Sequence, residues 1–250
     1  MTEQQIPDLP PLLSGIAVPA GQDPLAAACA SAEADGDPGE LYYATDEGRM
    51  RCAIVLAPDR PKAEALQMVH VSMLALGDAL GARLPAIVGV MFGWPDRIYL
   101  NGGLVGGLQV RIGPDGEDGM PDWMVVGAEI DIAGPGEDAL VEPGTRIERT
   151  SLVEEGCVEV RAIDLVESFG RHFLLWFQRY RADGFEAIMG NWEPRAYQYR
   201  EETKIVIAGE TFEGKLAGLN PAGGVVLEQK GGARILPLSM VLDGPSWDLS

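Results

Sequence analysis

The segment Phe92-Gly93-Trp94-Pro95-Asp96-Arg97-Ile98-Tyr99-Leu100-Asn101-Gly102-Gly103-Leu104-Val105-Gly106-Gly107-Leu108-Gln109-Val110 constrains this chain more than any other. It reads as a strand ending in a Trp-Pro corner, then a hairpin, then a return strand with a glycine pair inside it. Two glycines in a strand interior give up side-chain packing, so they need a reason. Either a flat ligand approaches the backbone there, or a sheet and a helix pack closely.

Periodicity sets the elements around this hairpin. Residues 1–22 are proline-rich and read as an irregular wrap over the core. Asp23-Pro24 is a helix start, with Asp as N-cap and Pro at the first helical position. Leu41-Tyr42-Tyr43-Ala44 and Arg51-Cys52-Ala53-Ile54-Val55-Leu56 flank a turn and read as a hairpin. Leu66, Val69, Met73, Leu76 and Leu80 lie on one helical stripe that ends at Gly81, and Ile87 to Phe92 reads as the next strand. An acidic loop at 114–119 precedes a strand over 123–132, and 133–149 shows no clear periodicity. A second long helix is predicted from Ile163 to Ala182, burying Val166, Phe169, Phe173, Phe177 and Tyr180, with a short helix from Phe185 to Trp192. Beyond residue 200, four or five short strands separated by Gly, Asn-Pro or Gly-Gly imply a small barrel. The fold class is α+β, a mixed and mostly antiparallel sheet packed by helices, divided as 1–200 and 201–250.

Bulk properties exclude several functions. The 250 residues carry a net charge of −19, a surface that repels phosphate backbones, so nucleic acid is not expected as a partner. No apolar run reaches about 18 residues, so no membrane helix is expected. Met1-Thr2-Glu3-Gln4-Gln5 lacks the positive start and apolar core of a signal peptide. Cys29, Cys52 and Cys157 are widely spaced with no Cys-x-x-Cys pair, which suggests reduced thiols in a cytoplasmic protein and no metal site.

The Trp-Pro hairpin resembles the central motif of the biotin and lipoate protein ligases, which runs Lys-Trp-Pro-Asn-Asp, a strand, a short turn, then Lys-Leu-Ala-Gly-Ile-Leu. Val125-Val126-Gly127-Ala128-Glu129-Ile130-Asp131 is similar to the family's Ile-Gly-x-Gly-Ile-Asn strand. Thr150-Ser151-Leu152 and the Gly184–Trp192 exit also resemble family segments, and Leu219 to Glu228 is similar to the SH3-like barrel that closes biotin ligases. The resemblance implies a class II synthetase-like ligase fold. It also implies a small carboxylic-acid ligand such as biotin or lipoate, a biotinyl or lipoyl carrier domain as partner, and in some members a homodimer.

The same resemblance locates what is missing. The ligases activate a carboxylate with ATP and pass the acyl group to a lysine, which brings two negative groups together and demands cations and backbone donors. The family's attacking-site lysine falls on Leu104 and its Lys-Trp-Pro lysine on Gly93. The arginine-rich glycine loop is replaced by the tight turn Ala44 to Arg51, in which Asp46 and Glu47 would repel phosphate and Arg49 and Arg51 could be remnants. These departures count against ATP and magnesium, and they leave open whether the chain is an enzyme.

Candidate ligand-binding residues are Trp94, Pro95, Asp96, Arg97, Gly106, Gly107, Gly127, Glu129 and Asp131. Trp94 either stacks on a ligand ring or packs in the core. Arg97 either supplies the missing positive charge or forms a surface salt bridge. Glu129 and Asp131 sit two apart on a strand and share a face, where they bind a ligand or line a solvated rim. His70 and His172 lack ligand-spaced partners and read as structural. Three function classes remain: an acyl-transfer enzyme, which could use a pre-activated thioester; a non-catalytic relative that keeps the pocket; and a purely structural scaffold.

Overall fold

The computed structural model describes residues 6–117, 119–134 and 148–249. The reading of Met1 to Gln5, and most of the aperiodic stretch 133–149, lie outside the described residues. The strands of the main sheet are β1 (Ser14–Ala17), β2 (Glu40–Tyr43), β3 (Arg49–Leu56), β4 (Val90–Gly93), β5 (Arg97–Leu100), β6 (Gly103–Ile112) and β7 (Met124–Asp131). They lie in the order β1-β2-β3-β7-β6-β5-β4. Only β1 and β2 pair in parallel; the other neighbours are antiparallel.

Two elements depart from the sequence reading. β1 falls inside the stretch read as irregular, where pairing with β2 satisfies a backbone that has no side-chain pattern to announce it. The strand expected from Ile87 begins only at Val90. Val88 N donates to Pro85 O at 2.9 Å, closing a turn that leaves Ile87 88% exposed.

The helices are α1 (Pro24–Glu33), α2 (Lys62–Ala65), α3 (Met68–Gly81), α4 (Ala162–Asp183) and α5 (Phe185–Trp192). Asp23 caps α1, accepting from the N–H groups of Leu25 and Ala26. α3 is buried along almost its whole length because the sheet covers one side and α4 the other. α4 buries Val166, Phe169, Phe173 and Tyr180, while Phe177 is only partly covered. Of the described α-helices only α1 packs on the opposite face of the sheet, over Ala53, Val55 and Val125. The part of that face beyond α1 is the open face, on which no described α-helix packs.

A second antiparallel sheet of barrel type follows, built from β8 (Glu202–Ile207), β9 (Glu210–Leu219), β10 (Val225–Gln229) and β11 (Gly232–Leu236) in the order β11-β10-β9-β8. Its Ile205, Phe212, Leu216 and Leu227 belong to the same apolar core as α3 and the main sheet. The turn between β9 and β10 is pinned where the Gly223 carbonyl accepts from Trp94 Nε1 at 3.1 Å and from His70 Nε2 at 2.9 Å. Gln67 Nε2 donates to Pro221 O at 3.0 Å beside it.

Trp192 lies at this junction, fully buried, stacked on Phe92 at 6.2 Å and edge-on to His70 at 5.3 Å. Trp192→Ala is expected to cost roughly 3–5 kcal/mol through lost transfer energy and a residual cavity. Urea unfolding would show this as a lowered midpoint at unchanged slope; a loss under 1 kcal/mol would mean that the junction repacks freely.

Candidate functional site

A bulge in β6 builds the site. Ile98 pairs with Gly106 but Tyr99 pairs with Leu104, so Val105 is an extra residue. Gly106 takes φ +154°, and a Cβ there would stand 2.0 Å from the Glu129 carbonyl oxygen, so only glycine fits. The bulge lets Val105 and Leu108 both enter the core and leaves Gly107 on the open face. In the paired register, Arg97, Gly107, Glu129 and Arg51 then form one row across β5, β6, β7 and β3. Residues directly opposite in such a row are in side-chain reach.

Charge in the row is mostly paired. Arg49, two residues from Arg51 on β3, donates to Glu129 Oε1 at 2.8 Å and lies 4.0 Å from Asp131. Arg51 pairs with Asp46 at 2.6 Å. Burial pushes the Glu129 and Asp131 carboxyls up, and Arg49 pulls both back down. Asp131 also accepts from the Gly134 N–H at 2.9 Å. Arg149, whose backbone bridges to Leu104, lowers Asp131 as well. Glu129 and Asp131 do share a face, as their spacing required.

The predicted residues divide into two groups. Asp96, Arg97, Gly107, Glu129 and Asp131 meet on the open face. Gly127 underlies α1, with Leu25 Cδ1 3.1 Å from where a Cβ would be. Trp94 does not stand on the open face: its ring is buried toward Gly223, the packing alternative. Pro95, joined to Trp94 by a cis peptide bond, is buried and turns the chain from β4 into β5, and Gly106 serves the bulge. Leu104 and Gly93 flank Tyr99. A Cβ at Gly93 would lie 2.6 Å from the Tyr99 ring, which stacks on Tyr197 at 4.3 Å.

Sequence reasoning missed the residues that complete this face. Ser246 donates its N–H to Asp96 Oδ2 at 3.0 Å and its hydroxyl to Asp96 Oδ1. Arg97 Nε donates to Ser246 Oγ at 2.8 Å, and the same guanidinium binds Ser246 O and Val206 O. Trp247 Nε1 donates to Leu108 O at 3.0 Å, its indole filling the space that Gly107 leaves empty. The segment has no strand or helix periodicity, and only its Trp could have drawn notice.

Beside this face lies a small cleft of about 20 Å³ lined by Asp23, Leu25, Arg51, Gln109, Gly127 and Glu129. A larger cavity of about 400 Å³ sits beside α4 with walls that include Leu56, Met68, Phe173 and Phe177. None of the predicted site residues lines it.

The sheet, its Trp-Pro corner and the barrel-type appendage define the scaffold of the cofactor-attaching ligases. The model of the biotin/lipoate A/B protein ligase family matches residues 9–194, and the chain belongs to that family. A biotin--[acetyl-CoA-carboxylase] ligase of Paracoccus denitrificans is 26% identical over 197 residues, which is 79% of this chain and 81% of that protein. The crystal structure of a biotin protein ligase-like protein of unknown function from a Silicibacter species is 34% identical, with TM-score 0.83 over 95% of this chain and 99% of that one. An arginine-to-glycine mutant of the biotin protein ligase of Aquifex aeolicus in complex with biotin shares the fold, with TM-score 0.71 and 17% identity over 90% of this chain and 96% of that one.

Two buried groups titrate in opposite senses. Burial raises the Asp96 carboxyl from 3.8 to about 6, against the Ser246 donors and the Arg97 charge, which lower it. Its folded form holds a proton that the unfolded chain has released. The Asp96 contribution to stability is therefore full below pH 3.8 and lost as pH rises through about 6. Burial lowers His70 from 6.5 to about 4, so its contribution is full above pH 6.5 and lost as pH falls through 4. The two slopes oppose each other between pH 4 and 6. Asp96→Asn removes one of them, so between pH 6 and 4 the variant should lose roughly 2–3 kcal/mol more than the parent. Urea titrations of both proteins at each pH check this; parallel profiles would contradict it.

Proposed function

We propose that this chain is a non-adenylating member of the biotin/lipoate ligase family that binds a small carboxylic acid of the biotin, lipoate or octanoate kind. In this reading residues 1–200 form the ligand-handling unit and 201–250 the small barrel. The observation that carries the binding half is Arg51 Nε, which is buried without a hydrogen-bond acceptor among the described residues and belongs to the cleft under α1. An unspent guanidinium N–H in such a place is costly until an acceptor arrives, and a carboxylate is its best partner. At about 20 Å³ the cleft is far below the roughly 300–1,000 Å³ of drug-sized ligand sites, so ligand entry requires its walls to part.

Loss of adenylation follows from charge. Two anions must be held together, and Leu104 offers none of the missing lysine's charge. Arg49 stands on the neighbouring strand but is shared by Glu129 and Asp131, and Arg97 is held by Ser246. Removing one such donor costs about 3–4 kcal/mol of transition-state stabilisation. A route through a thiol acyl-enzyme is disfavoured, since burial pushes Cys29, Cys52 and Cys157 all up. A biotinyl or lipoyl carrier domain remains the partner class for this reading, met through a surface other than the strongly acidic ones.

Thermal-shift titration with biotin, lipoate, octanoate and ATP tests the proposal. One acid should raise the unfolding midpoint by several degrees, since a ligand at a hundredfold its Kd adds about 2.7 kcal/mol. ATP should give no shift, and ATP–pyrophosphate exchange should stay at background. Arg51→Met should abolish the acid's effect while leaving the unliganded stability within about 1 kcal/mol of the parent's. Exchange above background would overturn the non-adenylating half, and no shift with any acid would overturn the binding half.

A further inference from the structure

After β11 the chain makes a 3₁₀ turn over Leu238–Asp243. The residues that follow then lie on the open face of the main sheet. Their contacts are those a bound small molecule would make. The Trp247 ring lies over Gly107, whose Cβ, if present, would be 2.3 Å from the indole nitrogen. The ring N–H is donated to a main-chain carbonyl, that of Leu108. Ser246 gives two donors to Asp96 and accepts from Arg97 through both its hydroxyl and its carbonyl. The Leu249 carbonyl accepts from Arg49 Nη2 at 3.2 Å, and the same guanidinium binds Glu129. Trp247 is 8% exposed and Asp96 is fully covered. One short segment thus engages Asp96, Arg97, Gly107 and, through Arg49, the Glu129 end of the row.

We propose that Ser246–Leu249 is a displaceable internal occupant of this face, a strap that must leave before a ligand can use Asp96, Arg97, Arg49 and Gly107. The proposal rests on the acid-binding function argued above and adds what must leave the charged row beside the cleft, whose Glu129 wall the strap reaches through Arg49. Its physical basis is competition. The strap is held by hydrogen bonds and one aromatic ring, with no secondary structure of its own, so its undocking does not require the sheet to open. A ligand meeting a mostly strapped population binds with its affinity reduced by the unstrapped fraction. Trp247 contributes the ring and Ser246 the polar latch, so removing both should release the strap without touching the core under β6.

The experiment compares the full chain, a variant ending at Asp243, and the double substitution Ser246→Ala with Trp247→Ala, which keeps the chain length should the shortened variant fail to fold. The synthetic peptide Gly-Pro-Ser-Trp-Asp-Leu, matching residues 244–249, is the first probe. It should bind both altered chains and bind the full chain at least tenfold more weakly. Biotin, lipoate and octanoate are the second set of probes, and at least one should bind the altered chains at least tenfold more tightly than the full chain. Added peptide should reverse that gain. Hydrogen exchange on the unaltered protein provides a readout free of substitutions. The acid should speed exchange across 244–249 while slowing it at Arg51 and Glu129.

If the peptide binds none of the chains, or binds all of them equally, the strap is overturned. The same follows if an acid binds all three chains with equal affinity, and in that case the acid-binding function still stands. If no acid binds any chain, the acid-binding function fails, and the strap as a docked and displaceable occupant is decided by the peptide arm.

Discussion

One extra residue in β6 governs what the open face of the sheet can present. Strand alternation is strict, so a residue inserted into one strand moves every later side chain to the other face. Val105 is that residue, and Gly106 absorbs the geometry at a φ that other residues avoid. Because of it Leu108 and Val110 join the core, Gly107 becomes a gap on the open face, and Arg97 and Glu129 stand on either side of that gap. Without the bulge the register that joins β5, β6, β7 and β3 at one row would be lost, and the charged residues would not meet.

Charge economy is the second theme. The chain is strongly acidic, yet its open face gathers Arg49, Arg51 and Arg97. Partly buried, these guanidiniums attract more strongly than they would in water, and the protein meets that attraction with its own carboxylates and carbonyls. The outcome is a face nearly neutral within itself. The scaffold and the charges on its open side rest on different contacts: the core under the sheet holds the first, and ion pairs across neighbouring strands hold the second.

The junction of the two sheets shows the same separation. Trp94 belongs to the motif that marks the family, but its indole donates to Gly223 and holds the β9–β10 turn against the main sheet beside His70. That bond makes the Trp-Pro corner a structural joint in this chain. The neighbouring Asp96, two residues on and facing the other way, takes up Ser246. One tight corner therefore fastens both the small sheet, on its inner side, and the last described segment, on its outer side.

Local pattern made much of this legible. The Asp23-Pro24 start of α1, the stripe of α4, the short α5 and the run of small strands after residue 200 all follow from capping chemistry and periodicity, which depend on neighbours a few residues apart. The pairing of Glu129 with Asp131 on one face was legible for the same reason. What sequence could not decide is whatever depends on contacts between distant segments. β1 exists only because β2 offers it a partner. Trp94 could have faced either side, and its direction was settled by Gly223, more than a hundred residues away. Ser246 and Trp247 belong to a stretch without period or motif, and their place over Gly107 arises because a bulge vacates one spot on a sheet and the chain beyond β11 ends its turn beside it. Sequence by itself determined the family and most of the order of elements. Tertiary structure alone decided which arginines are already spoken for, because charge pairing is set by distance through space and the sequence lists only distance along the chain.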